Sequence, residues 1–181
     1  MGSVRRALVL HPDCRCDAVE TIEVQIARPG AGELALRFVV KGDIASIAVP
    51  AAADPGFADG LWKHSCFEAF AGSSEATAYH EFNFSPSSQW AAYRFDDYRS
   101  GMAAIPPLVP PEIDVDASAC DLQLAVALAG LTEAHDLFGL SAVIEQVDGT
   151  HSYWALAHPL GKPDFHHKDC FALELPAASA S

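Results

Sequence analysis

The chain has 181 residues, half of them hydrophobic, and a formal net charge of −13. That length suits one domain with a sizeable core, and the apolar content excludes wholesale disorder. The acidity argues against a nucleic-acid partner, whose phosphates are held by lysine and arginine, and against an anionic membrane surface.

Taken in chain order, Val4-Arg5-Arg6-Ala7-Leu8-Val9-Leu10 opens on a basic pair, but its apolar run is too short for a signal peptide. No stretch approaches the roughly 18 apolar residues that a membrane helix needs. The five cysteines, at 14, 16, 66, 120 and 170, fit free thiols in a reducing compartment, so the expected location is the cytoplasm.

Alternation then dominates. Ile22, Val24 and Ile26 share one face of a strand, as do Leu34, Leu36, Phe38 and Val40. A turn at Gly42-Asp43 predicts that Ile44 to Val49 returns as a hairpin strand. Pro50–Gly60 reads as a loop leading into Leu61-Trp62. Strands fit Cys66–Ala71, Ala78–Phe84 and Gln89–Phe95, the last two joined by a tight turn at Ser85-Pro86-Ser87-Ser88. Ala103–Ala119 carries Pro106, Pro107, Pro110 and Pro111 and reads as a second long loop. Leu122, Leu124, Val126 and Leu128 alternate again, and around Leu131 to Leu137 there is room for at most one helical turn. Gly139–Gln146 and Ser152–His158 flank Asp148-Gly149, a strong hairpin signal. Phe171, Leu173 and Leu175 end the pattern, and Pro176–Ser181 reads as a frayed tail. With Ala7–Leu10, about ten short strands predict an all-β fold, a two-sheet antiparallel β-sandwich formed by residues 1–175.

Polar groups interrupt the most apolar strands. Glu68, Glu81 and Glu145 must reach water or meet a cation, because an unpaired buried charge is costly. Ion pairs with Arg94 and Arg99 are the structural expectation. A concave polar patch, in which carboxylates and arginine read ligand hydroxyls against tryptophan faces, is the functional one. On period two, Tyr79, Glu81 and Asn83 share a face, Trp90 and Arg94 share another, and Ser152, Trp154 and His158 share a third.

Several runs carry a resemblance to a known family. Leu-Trp-Lys-His-Ser-Cys-Phe-Glu-Ala-Phe at 61–70, Glu-Phe-Asn-Phe-Ser-Pro-Ser at 81–87 and Gln-Trp-Ala-Ala-Tyr at 89–93 resemble the bacterial DOMON-like domain family. So do Ser-Tyr-Trp-Ala-Leu-Ala-His-Pro at 152–159 and Pro-Asp-Phe-His-His at 163–167. That family is related to DOMON domains and to family 9 carbohydrate-binding modules. The resemblance runs from about Ala7 to Leu175 and implies a ligand site on the concave sheet or at its mouth. Sugar-binding relatives clamp a ring between two aromatics and add a carboxylate, an arginine and an amide. Trp62, Glu68, Asn83, Arg94 and Trp154 match those roles by order and strand placement. Haem-binding relatives ligate iron with methionine and histidine, which here would be Met102 with His158 or His166.

Other chemistry has weaker support. His166 and His167 are adjacent and point to opposite sides of an extended chain, and His11 to Cys16 lacks the second ligand pair of a zinc site, so no metal site is expected. Two carboxylates in a sandwich are no glycosidase signal by themselves. Nucleophile elbows, phosphate loops and dinucleotide fingerprints are absent. Three readings follow: a module for a carbohydrate or similar small molecule, a non-covalent haem or redox module, and an interaction domain without a ligand.

Overall fold

In a strand, residues two apart face the same way, and each run of Val, Ile, Leu and Phe at that spacing buries one face and wets the other. The computed structural model, which describes residues 3–105, 109–132 and 134–175, puts this rule into thirteen strands. In chain order they are β1 (Val4–Leu10), β2 (Val19–Ala27), β3 (Glu33–Gly42), β4 (Gly56–Phe57), β5 (Cys66–Ser73), β6 (Ala76–Phe84) and β7 (Gln89–Phe95). There follow β8 (Ala103–Ala104), β9 (Glu112–Ala117), β10 (Asp121–Ala129), β11 (Leu137–Glu145), β12 (His151–Ala155) and β13 (Leu173–Glu174). Among the described residues no helix is long and apolar enough to cross a membrane.

The strands form two sheets, the halves of an all-β sandwich. One has the order β1-β2-β3-β10-β9; the other runs β4-β7-β6-β5-β11-β12, with β8 on β7 and β13 on β11. Strand β1 belongs to both: Val4 to Leu8 pair with β2, while Val9 and Leu10 pair with Ala155 and Trp154 of β12. A strand that changes partner along its length makes the corner at which the sheets join. Pairing is antiparallel throughout except for the two-residue contact of β4 with β7.

Between the sheets lie the alternating residues the sequence marks. Ile22, Val24, Phe38, Val40, Leu122 and Leu124 from one sheet meet Phe67, Phe84, Phe138, Leu140, Ile144 and Trp154 from the other. Across the gap the Phe38 and Phe67 rings sit 5.0 Å apart. The turn at Ser85–Ser88 and the Asp148-Gly149 hairpin form where expected, with Ser85 N–H on the Gln89 carbonyl and Gln146 N–H on the Thr150 carbonyl.

Ile44 to Val49 is not a return strand. Both edges of β3 are already occupied, by β2 and by β10, so no ladder is open to it. Ile44–Ser46 instead forms a 3-10 turn, Ile47 makes one bridge to Gln146, and both isoleucines plug the end of the core. Gly42 permits the turn: its φ is +150°, and a Cβ there would lie 2.1 Å from the Ala18 carbonyl oxygen. Within the expected loop 103–119, Glu112–Ala117 is an edge strand, its Ile113 and Val115 opposite Val126 and Leu124 and its acids facing water. Such charges protect an edge from further pairing. Pro106, Pro107 and the tail Pro176–Ser181 lie outside the described residues. The last two expected strands are shorter than the sequence suggests, ending at Ala155 and reduced to Leu173–Glu174.

All five cysteines are free thiols. Burial, with help from Glu68, pushes the Cys66 thiol well up, and burial pushes Cys170 up to about 12. In the native protein a thiol reagent therefore modifies exposed Cys120 and spares Cys66 and Cys170 until denaturant is added. Equal labelling rates at all five would contradict this packing.

Candidate ligand-binding cleft

Strand β5 departs from alternation: Cys66 to Gly72 are all buried. One face of it meets the core, so something must cover the other. Register identifies the covered face. Glu68 lies beside Asn83 of β6 and Ser141 of β11, and Phe70 lies beside Glu81. Tyr79 pairs with Phe95, and Glu81 with Tyr93 of β7. These side chains point away from the core and would meet water on a bare sheet.

Three segments roof them. The 3-10 turn Leu61–Lys63 brings in Trp62, the loop after β7 brings Arg99 and Met102, and the stretch after β12 brings Pro163, Phe165 and His166. Together with Glu68, Glu81, Phe95, Val143 and Tyr153 they enclose a cleft of about 370 Å³. That is within the size range of small-ligand sites. Trp62 stands edge-on to Tyr93, with ring centres 5.7 Å apart, and Tyr153 packs against Phe165 at 6.0 Å. The aromatic walls are thus braced from behind.

The floor is acidic. Glu68 and Glu81 are 3% and 5% exposed. Ser141 Oγ donates to Glu68 Oε2 at 3.1 Å, and Asn83 Nδ2 donates to Glu81 Oε1 at 2.8 Å. Burial first, then the charge of Glu81, pushes Glu68 well above the ordinary carboxylate range. Burial likewise raises Glu81, against the opposing pull of Asn83 and Arg99. Burial thus favours the neutral form of Glu68 relative to an exposed carboxylate.

The roof is tied down by one carboxylate. Arg99 donates to Asp164 Oδ1 through Nε at 3.2 Å and Nη2 at 2.7 Å, Tyr98 donates to Oδ2, and the His166 N–H donates to Oδ1 at 3.1 Å. Burial pushes Asp164 up, but these donors outweigh it and hold the carboxylate below its usual range. Tyr79 Oη accepts the Arg99 N–H at 3.2 Å, so its own proton goes to His166 Nδ1 at 2.8 Å. In that arrangement the His166 proton sits on Nε2, which faces Glu81 Oε2 at 3.7 Å. Burial and then Arg99 lower the His166 pKa to about 4, keeping the ring neutral.

Of the residues expected at a site, Trp62 and Glu68 line the cleft. Asn83 is fully buried on the same face and acts through Glu81. Arg94 does not share the site. Its register partners are His80 and Ala103, on the opposite face, and its exposed guanidinium pairs with Asp96 at 2.6 Å. Trp154 does not share it either. It lies beside Ala142 on the core face, and its Nε1–H donates to Ser152 Oγ at 3.0 Å. Arg99 and Tyr153 stand in the cleft instead. The expected ion pairs between the strand glutamates and Arg94 or Arg99 do not form: Glu145 takes His64 at 2.8 Å, and Arg99 takes Asp164. Of the expected iron ligands, Met102 and His166 both line the cleft, but both His166 nitrogens face other groups. His158 lies elsewhere, with Nε2 2.7 Å from the Val9 carbonyl and its ring edge-on to His11. His167 accepts the Asp169 N–H at 3.2 Å.

The fold and cleft define an all-β sandwich with a roofed site on the outer face of one sheet. No family model and no curated protein matches the chain. Solved structures do. A "putative carbohydrate-binding protein" from Bacteroides uniformis is similar at TM-score 0.60 and 15% identity, over 94% of this chain and 84% of that one. Family 9 carbohydrate-binding modules from Caldicellulosiruptor kristjanssonii, in complex with glucose and with cellotriose, align at TM-score 0.49 and 9% and 10% identity. Each alignment covers 82% of this chain, and 72% and 70% of theirs. At 15% identity the likeness to the first of these is one of fold.

Proposed function

We propose that the chain is a carbohydrate-binding module of the DOMON-like type, taking a sugar ring in the cleft under Trp62, Tyr153 and Phe165. One observation carries the reading: flat aromatic walls and a hydrogen-bonding carboxyl floor open onto the same small cavity. A pyranose needs both. Its C–H faces pack on aromatic rings, and its hydroxyls need acceptors and donors that are held in place. Glu68 and Glu81 keep unused lone pairs toward the cavity after their bonds to Ser141 and Asn83. The protein that shares the fold at TM-score 0.60 carries a sugar-binding description, which agrees with this use.

Intrinsic fluorescence tests it. Trp90 and Trp154 are each 5% exposed in the core, leaving Trp62 as the tryptophan at the cleft. Sugar binding therefore shifts the emission of Trp62 alone, and Trp62→Phe removes the signal. Tyr153→Ala, which deletes one wall, weakens binding roughly tenfold, as for about 1–2 kcal/mol of lost apolar contact. Purified protein with a Soret band that disappears in Met102→Leu would instead assign the cleft to haem.

A further inference from the structure

The cleft has acids on its floor, and the one arginine in its lining is paired with another carboxylate. Glu68 and Glu81 form no salt bridge with any lysine or arginine among the described residues, and Glu81 Oε2 has only His166 Nε2, at 3.7 Å. Arg99 is the cation on the wall, and its guanidinium is turned onto Asp164. No hydrogen-bond donor among the described residues reaches Glu68 Oε1, although the side chain is almost fully buried and lines the cavity.

The remaining groups around the pair add no positive charge. Cys66 on β5 and Tyr79 and Tyr93 on β6 and β7 are all pushed up by burial and stay neutral. Ser141 on β11 and Tyr153 on β12 offer hydroxyls. From the roof His166 is neutral, and Arg99 is balanced by Asp164. Two neighbouring buried carboxyls in such a place must hold protons or take a cation from outside.

We infer that the favoured ligand of this cleft is an amino sugar with a free ammonium group, seated between Glu68 and Glu81. This rests on the carbohydrate reading above and narrows it. An ammonium has three donors and no acceptor, so one nitrogen can offer a donor to each of two carboxylates, and charge-assisted bonds of that kind are about twice as strong as neutral ones. A neutral sugar can bond the same oxygens but brings no charge to set against theirs when they ionise. The net charge of −13 also draws cations toward the protein. An ammonium between them favours the ionised form of both carboxyls, against the burial that favours the protonated form, and the aromatic walls still select a ring over a simple amine.

Titration calorimetry of the whole chain at about pH 7, with EDTA present, compares glucosamine, glucose, N-acetylglucosamine and ethanolamine. Glucosamine binds about tenfold or more tighter than glucose, acetylating the amine abolishes the advantage, and ethanolamine binds far more weakly. Repeating the glucosamine titration in buffers of different ionisation heat detects a proton exchange that the glucose titration lacks. In Glu68→Gln and Glu81→Gln the ratio of glucosamine to glucose affinity falls to near one, whatever the absolute affinities. Each variant is first checked by thermal melting, so a misfolded one leaves the other to decide. Equal affinity of the unmodified protein for glucose and glucosamine overturns this inference and leaves the carbohydrate reading intact. Ethanolamine binding as tightly as glucosamine overturns it too, and a protein that binds none of the three sugars overturns both.

Discussion

Replacing Trp154 by alanine lowers the stability of the protein by about 3–5 kcal/mol, the cost of truncating a large aromatic in a packed core. The indole lies between the sheets, 5% exposed, with its N–H bonded to Ser152. Its removal leaves a cavity that Leu10 and Ala142, its register neighbours on β1 and β11, cannot fill without moving backbone. The loss appears in urea unfolding as a lower midpoint. Sugar affinity, measured where the variant is still folded, stays close to that of the unmodified chain. Trp62→Ala behaves in the opposite way, with a small stability change and a large loss of affinity. A stable Trp154→Ala variant that no longer binds sugar would mean that β12 presents its other face to the ligand.

Acid weakens the fold through His80, on the face of β6 opposite the cleft. His135 Nδ1 accepts the Thr132 N–H at 2.9 Å, so its Nε2–H donates to His80 Nδ1, also at 2.9 Å. His80 is held neutral by burial first, then by His135 and Arg94, and its pKa falls to about 4. In the unfolded chain a histidine titrates at about 6.5. Between those values the unfolded state binds the additional proton, so this contribution is complete above pH 6.5 and is lost as pH falls toward 4. With allowance for solvent screening it is worth on the order of 2 kcal/mol. Glu68 and Glu81 act with the opposite sign, because their raised values favour the protonated folded state as pH falls. A variant comparison isolates the histidine: the advantage of the unmodified chain over His80→Gln shrinks by about 2 kcal/mol between neutral pH and pH 4. A gap that stays constant in urea titrations across that range would show that His80 protonates freely in the native state.

The fold was largely legible in the sequence because its strongest signal is period two. Leu34 to Val40 and Leu122 to Leu128 alternate cleanly, since one side of their sheet meets the core and the other meets water. The Asp148-Gly149 turn declares a hairpin through its own backbone preference. Elements that depend on distant partners were less legible. Ile44 to Val49 has the composition of a strand, but whether a strand finds a ladder depends on which edges are free, and β2 and β10 had taken them. Glu112 to Ala117 reads as loop because its outward face is acidic and prolines precede it, yet an edge strand favours those charges.

The site was half legible for the same reason. Alternation says that Tyr153 and Trp154 face opposite ways, and it cannot say which of them faces the core. Trp154 matched a sugar wall by order and strand placement; the register with Ala142 sends it inward. Arg94 and Arg99 are five residues apart, and only the fold of the loop between them shows that Arg99 returns over the sheet. Phe165 and His166 reach the cleft from a segment with no periodicity to read. One sequence signal was available: Cys66 to Phe70 places a carboxylate inside an otherwise apolar run, and such an interruption points to a roofed site.

The central claim, that this cleft is where a sugar binds, is tested most directly by a crystal structure of the protein grown with a saturating monosaccharide. The account predicts a ring lying against Trp62 and Tyr153, with polar groups bonded to Glu68 and Glu81 and the Arg99–Asp164 pair closed over it. A sugar seated on another surface, or an empty cleft under conditions where binding is measured in solution, would contradict it.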